Sequence, residues 1–319
     1  MEATGDTTVT VAYEYDALLR LTAEEYTDGK GTLRSEYTYD AVSNRTEKTV
    51  TVTGDITGFA DTTNVSAGTV TYTYNALNQL LAEESALADR IYYYDENGAR
   101  TRVEVADKSG AVTESTSFTY DALGRLVRAT VSSGSDVTVS SYTYDYMGNR
   151  TSKTTAEETV YFITEAMGTL SQVLAEVNAD GSELAYYTRS DELISMETEG
   201  ETYTYLSDGH SDVRALTGSN GTVTDTYRFD AYGVLLASTG DTRNEYLYAG
   251  EQYNAETGLY YNRARYMDPT TGTFISMDSY SGSIYDPVSL HKYLYANANP
   301  VTYTDPTGYF SFSELMVVQ

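Results

Sequence analysis

One phrase constrains this chain more than any other: tyrosine, any residue, tyrosine, aspartate, then a turn. It stands as YEYDALLRL from Tyr13, YTYDAVSNRT from Tyr37, YTYNALNQL from Tyr72, YYYDENGART from Tyr92, FTYDALGRL from Phe118, YTYDYMGNRT from Tyr142 and YRFDAYGVL from Tyr227. Eroded copies begin at Tyr203 and Tyr246. The second aromatics Tyr15, Tyr39, Tyr74, Tyr94, Tyr120 and Tyr144 are spaced by 24, 35, 20, 26 and 24 residues. Spacing of this kind signals an array of supersecondary units, each of which buries its apolar face only against its neighbours.

The chemistry of one unit is legible in FTYDALGRLVRATV. Phe118 and Tyr120 sit two apart and share one face of a strand, with Thr119 on the other. Asp121 opens a turn, Gly124 takes the left-handed position, and Leu126 begins the return strand. Each unit is therefore an antiparallel β-hairpin with a short loop closed by a bulge. Gly98, Gly148 and Gly233 keep the glycine position, and Asn78 is a tolerated substitute there. Leu19 and Ser43 depart from it, which implies a turn of another type or a strained one.

Composition narrows the use of this array. Of 319 residues 33 are tyrosine and 7 phenylalanine, with no tryptophan, and apolar residues make up 40%. Burying each ring removes roughly 150–250 Å² from water, so the tyrosine ladders are expected to be core. The formal charge of −27, from 47 acidic and 20 basic residues with no basic run, argues against a nucleic-acid partner. The acid excess either keeps an edge-rich β protein soluble or forms a wall that holds or repels a basic cargo. Without cysteine there is no disulfide framework, thiol catalysis or thiolate metal site. No apolar stretch approaches a membrane-spanning length, and MEATGDTTVTV does not resemble a signal peptide. Because a repeat starts almost at once after Met1, the chain is expected to begin inside a longer protein. His210 and His291 lie far apart without zinc-protease spacing, GKGT at residues 29–32 reads as a turn, and no acidic cluster matches a calcium loop.

Organisation changes toward the C-terminus. All four prolines, Pro269, Pro287, Pro300 and Pro306, follow residue 268. Residues 154–200 form an irregular zone in which Asn178, Asp180 and Gly181 mark a turn between two strands. In DPVSLHKYLYANANP, Asp286 is placed to cap, Pro287 fits the first helical position, and Leu290, Tyr293 and Leu294 share a face; the pattern predicts a helix of two or three turns.

The run YLYAGEQYNAETGLYYNRARYMDPTTGTFISMDSYSGSIYDPVSLHKYLYANANPVTYTDPTGY, from Tyr246 to Tyr309, resembles the RHS repeat-associated core domain, and the upstream phrases resemble RHS or YD repeats. Together they cover nearly the whole chain. The resemblance implies an all-β fold in which aromatic-rich antiparallel hairpins, residues 1–245, form a curled sheet or partial cocoon. Residues 246–309 form a core plug with one short helix, and residues 310–319 begin a variable C-terminal segment. In polymorphic toxins and in the C components of Tc toxins such a shell encloses a C-terminal toxin; teneurins carry a related extracellular barrel. The implied function is the C-terminal part of an encapsulating shell, secreted or at the cell surface as part of a larger exported protein. Its implied partners are a toxin cargo, absent or truncated here, and further shell segments. Many bacterial members are aspartyl autoproteases that cut after a DPxG-hydrophobic sequence. The matching positions are Arg265, Asp278 and Asp305, with cleavage between Tyr309 and Phe310 and no cofactor or metal. Two close carboxylates cannot both ionise easily, so one stays protonated while the other activates water, and Arg265 steadies the charge. Ser279 follows Asp278 where many relatives have proline, which leaves Asp268 open as an alternative acid. The ten residues after Tyr309 are too few for an independent toxin, and about ten hairpins suit a partial cocoon, so a fragment or an assembling segment is expected. The alternative from a different class is an extracellular adhesin or carbohydrate-binding repeat protein whose surface tyrosines stack on glycans.

Overall fold

The computed structural model describes residues 8–165, 170–190, 192–309 and 311–313. Twenty strands, from Thr10–Tyr15 to Leu235–Thr239, form one sheet in which each strand pairs antiparallel with the next in chain order. Each YD phrase ends one strand, and its turn starts the next. In the hairpin predicted from FTYDALGRL, Tyr120 faces Leu126 and Thr119 faces Arg128, so one residue bulges beside the turn. The same one-residue shift recurs beside Tyr15, Tyr39, Tyr74, Tyr94, Tyr144 and Phe229.

The turn itself is built by aspartate. Asp121 Oδ1 accepts from the amides of Leu123 (2.9 Å) and Arg125 (3.0 Å), and its carbonyl accepts from Gly124. Asp16 and Asp40 make the same bonds, with Leu19 at φ +63° and Ser43 at φ +73°. The first two turns are thus of the common type, and of the two expectations the strained one holds: a side chain sits where glycine is cheaper.

Rings face inward and the two tyrosines of the phrase do different work. The first aromatic (Tyr37, Tyr72, Tyr92, Phe118, Tyr142) is buried. The hydroxyls of Tyr37, Tyr92 and Tyr187 donate to buried Glu24 (2.8 Å), Glu83 (2.5 Å) and Glu176 (2.9 Å) on the preceding strand. The second reaches back one repeat: Tyr39 donates to the Leu21 carbonyl (2.7 Å), Tyr120 to Arg100 (2.8 Å) and Tyr144 to Leu126 (2.6 Å). Arginines at the turn ends close the other direction, Arg20 donating to the Asp40 carbonyl and Arg125 to that of Asp145.

The strip curls until its end meets its beginning. Tyr26 donates to the Phe229 carbonyl at 2.7 Å, Ala231 N donates to Glu24 at 2.7 Å, and Tyr37 packs edge-on to Tyr232. The first and last strands do not pair, so the sheet is curled and is not a hydrogen-bonded barrel.

Inside the curl sits a second, four-stranded antiparallel sheet: Gln252–Asn254, Leu259–Asn262, Arg265–Asp268 and Thr273–Phe274. Its Tyr260, Met267 and Phe274 share a core with Tyr187, Met196, Leu216 and Phe229 of the strip, while Tyr261, Tyr266 and Ile275 pack on Phe118, Leu126 and Tyr142. Turns around the rim grip this insert. Asn44 holds His291 (2.8 Å), the Gly98 carbonyl accepts from Tyr293 (2.8 Å), Arg100 pairs with Asp268 (2.7 Å), and Asp212 accepts from Ala249 N (2.8 Å).

The predicted helix contracts to one 3₁₀ turn, Pro287–Leu290, and Asp286 makes no side-chain cap. His291 leaves helical geometry, and its Nδ1 accepts the amides of Tyr293 and Leu294, which a continuing helix would have bonded to carbonyls one turn back. Burial in that position pushes the His291 imidazole down to about 4. Leu290 is exposed, whereas Tyr293 is buried.

Candidate functional site

Arg265 lies in the third strand of the inner sheet, where its guanidinium stacks over the Phe274 ring at 3.6 Å. Its Nη2 reaches Asp278 Oδ2 at 3.0 Å and Asp305 Oδ2 at 3.3 Å. The two carboxylates therefore share one nitrogen, although 27 residues separate them. Nη1 donates to the Lys292 carbonyl and Nε to that of Gly308. All three side chains are buried.

Asp305 organises the segment that follows it. Its Oδ1 accepts from Thr307 Oγ1 (3.0 Å), Gly308 N (2.8 Å) and Tyr309 N (3.1 Å), folding Asp305–Tyr309 into a tight turn. Gly308 adopts φ +72°, and a Cβ there would lie 2.4 Å from the Asn262 carbonyl oxygen, so only glycine fits. Asp278 is held by its own amide on the Lys292 carbonyl (2.9 Å) and accepts from Tyr280 N (2.8 Å). Tyr309 is thus held on Asp305, which shares the Arg265 nitrogen with Asp278; Phe310 lies outside the described residues.

Burial raises the Asp278 carboxyl above the usual range, with Arg265 opposing and Asp305 adding to the rise. Burial likewise raises Asp305 against the pull of Arg265 and its hydrogen-bond donors. Desolvation lowers the Arg265 guanidinium, while both acids push the other way. The cluster disfavours charge at both acids, the condition under which a pair of carboxylates shares a proton.

Asp268 belongs elsewhere. Burial alone would raise it, but Arg100 at 2.7 Å and the Thr270 hydroxyl hold it below the ordinary carboxylate range. It ties the inner sheet to the strip.

The repeat chemistry and this terminal block have counterparts in known proteins. The teneurin YD-shell description matches residues 1–301. The chain belongs to the teneurin YD-shell family. Among curated relatives of this YD-shell, the tRNA3(Ser)-specific nuclease WapA of Bacillus spizizenii is 38% identical over 93% of the chain, and the tRNA nuclease WapA of Bacillus subtilis 37% over the same share. The chain spans 12% of the length of each. Among solved structures, the TcdB2-TccC3-Cdc42 crystal structure covers 94% of this chain and 18% of its own, at 18% identity and a TM-score of 0.48.

In the YD-shell, the sequence-derived trio of Arg265, Asp278 and Asp305 comes together. The groups that position the trio were not singled out from sequence. Asn262 Nδ2 donates to the Asp305 carbonyl at 2.8 Å, Arg263 donates to the Pro306 carbonyl, and Ala264 N donates to that of Thr307. Asn262 and Arg263 stand in the quoted NRAR run, and Arg263 has φ +55°, a conformation with no signature in its residue type.

Proposed function

We propose that this chain is the C-terminal part of an encapsulating YD-shell of an exported polymorphic toxin or surface protein. In this reading residues 246–309 plug it, and the chain cuts itself once between Tyr309 and Phe310. The observation that carries the catalytic part is the single Arg265 nitrogen in reach of both Asp278 and Asp305, beside the turn that delivers Tyr309. The donors on Asp305 favour its ionised form, so Asp305 takes a proton from water while Asp278 gives its proton to the Tyr309 carbonyl oxygen. Water oxygen bonds to the carbonyl carbon, the C–N bond breaks, and the protons end on the new Phe310 amine and the two acids. Arg265 stabilises the negative charge of the pair. Catalyst and substrate are one chain, so proximity replaces binding.

The shell reading rests on the YD-shell family and on relatives whose names describe nucleases many times longer than this chain. A cargo and further shell segments are the partners it implies. Inward-facing motif rings, committed to core and to repeat-to-repeat hydrogen bonds, favour this reading over sugar stacking.

Intact mass of the purified 319-residue chain, followed through folding, tests the chemistry. Loss of residues 310–319 is expected, with none in Asp278→Asn or Asp305→Asn. A wild-type chain that stays whole after prolonged folding, or cleavage unaffected by either substitution, sinks it.

A further inference from the structure

Next to the segment that carries Asp305, at the junction between the strip and the inner sheet, a cavity of about 30 Å³, open to solvent, is lined by Arg150, Arg189 and Arg263. One carboxylate, Glu251, shares that lining and pairs with Arg263 at 2.7 Å. Three guanidinium groups thus face one acid in a chain whose formal charge is −27.

Arg150 is fully inside. Its Nη1 donates to Asn254 Oδ1 (2.9 Å) and Tyr266 Oη (3.3 Å), and its Nη2 to Gln252 Oε1 (2.8 Å), while its Nε is buried without a partner. Arg189 donates Nε to the Val173 carbonyl (3.0 Å) and lies over the Tyr246 ring at 4.4 Å; its Nη2 is also buried without a partner. Every hydrogen-bonded oxygen around these two cations is neutral. Of the other buried arginines, Arg100 has Asp268 and Arg265 has Asp278 and Asp305, while Arg45, also without an acid, is enclosed by the rings of Tyr37, Tyr72 and Tyr232. An arginine cannot shed its proton to escape burial, so two orphan donors on cations beside an open cavity call for an anion.

We propose that this cavity is a binding site for one small oxoanion of phosphate or sulfate size, held by Arg150 and Arg189. Arg150 is pre-oriented by Asn254 and Gln252, and Arg189 by Tyr246 and Val173. Planar guanidinium donors suit the paired oxygens of such an ion. The site joins a strand of the strip, Glu183–Arg189, to the inner strand Gln252–Asn254, so a bound anion fastens the insert to its wall.

Calorimetric titration of the whole chain with inorganic phosphate and inorganic sulfate, against chloride at equal ionic strength, tests the site. Saturable binding of one ion per chain is expected, together with a raised melting temperature. Arg189→Gln is expected to weaken binding at least tenfold, and Arg128→Gln, an exposed arginine elsewhere, to leave it unchanged. Neither arginine belongs to the proposed cleavage centre, so cleavage and anion binding stand or fall separately. Absent binding, or binding equally strong in Arg189→Gln, overturns the assignment.

Discussion

Gly308 and Gly124 share nearly the same backbone angle, φ +72° and +79°, but differ in what surrounds them, and alanine at each separates two costs. At Gly124 a Cβ meets nothing within 4 Å. The left-handed conformation then costs about 1–2 kcal/mol, offset by about 0.4–1 kcal/mol from the stiffer unfolded chain, so Gly124→Ala should cost about 0–1.6 kcal/mol. At Gly308 the Cβ would lie 2.4 Å from the Asn262 carbonyl oxygen and 2.9 Å from the Arg265 amide nitrogen. Both belong to buried inner strands, so the turn must withdraw by about 1 Å to restore an ordinary carbon–oxygen contact. That movement breaks the bonds from Gly308 N and Tyr309 N to Asp305 Oδ1, now 2.8 and 3.1 Å. Bonds to a charged acceptor contribute about 1.5–3 kcal/mol each, so Gly308→Ala should cost about 3–6 kcal/mol more than Gly124→Ala. Urea unfolding of the two variants with equal slopes gives the difference directly, and the same Gly308 sample should lose self-cleavage. If the two alanines cost the same, the turn is not clamped by the inner strands as described, and the positioning of Tyr309 loses its basis.

Removing the second-tyrosine hydroxyl in Tyr39→Phe should cost about 1 kcal/mol by urea unfolding, since the Leu21 carbonyl loses its donor; a neutral result would mean that hydroxyl does not join repeats. Asp268→Asn leaves Arg100 buried without its charge partner and should cost about 3–5 kcal/mol, against little for Asp136→Asn, which makes no ion pair. Glu24 is pushed up to about 7 by burial and by Asp230, against Lys48, Tyr37 and Ala231 N. Its folded pKa exceeds its unfolded one, so its contribution is fully present below about 4.5 and is lost as pH rises through 7; the span corresponds to about 3 kcal/mol. The stability difference between wild type and Glu24→Gln should therefore shift in favour of wild type as pH falls from 8 to 5, and a difference constant with pH would contradict this.

What the residues announced were the local features. The aspartate turn and the left-handed fourth position are made within one phrase, so FTYDALGRL contains the atoms that decide them, and the bulge follows at once between Leu126 and Arg128. Neighbouring hairpins then pair in chain order. Leu19 and Ser43 could not be resolved between two turns, because strain of this size is repaid by the neighbouring repeats and leaves no mark in the phrase. The helix failed for a reason outside its own periodicity: His291, not a main-chain carbonyl, receives the next two amides. Curling was expected from family resemblance, but the contacts that hold it, such as Tyr26 to Phe229 across 203 residues, have no local signature. Arg265, Asp278 and Asp305 were legible only as motif positions, and the carbonyls of Lys292, Gly308 and Pro306 that fix the neighbourhood are backbone groups any residue supplies.

Charge tells against reading composition as surface. Among the described residues five cations, Arg45, Arg100, Arg150, Arg265 and Lys153, are buried in the shell interior. Arg45 lies 4.2 Å from the Tyr232 ring centre and 4.9 Å from that of Tyr37, and Arg150 4.3 Å from that of Tyr261. The tyrosine-rich interior therefore draws cations in, because ring faces and phenol oxygens solvate a guanidinium where an aliphatic core could not. Ten acids are buried beside them among the described residues, so the outer face keeps most, but not all, of the formal acid surplus. At the edge strands of the described residues, Thr10–Tyr15 and Leu235–Thr239, that surplus makes two copies repel before their edges can pair.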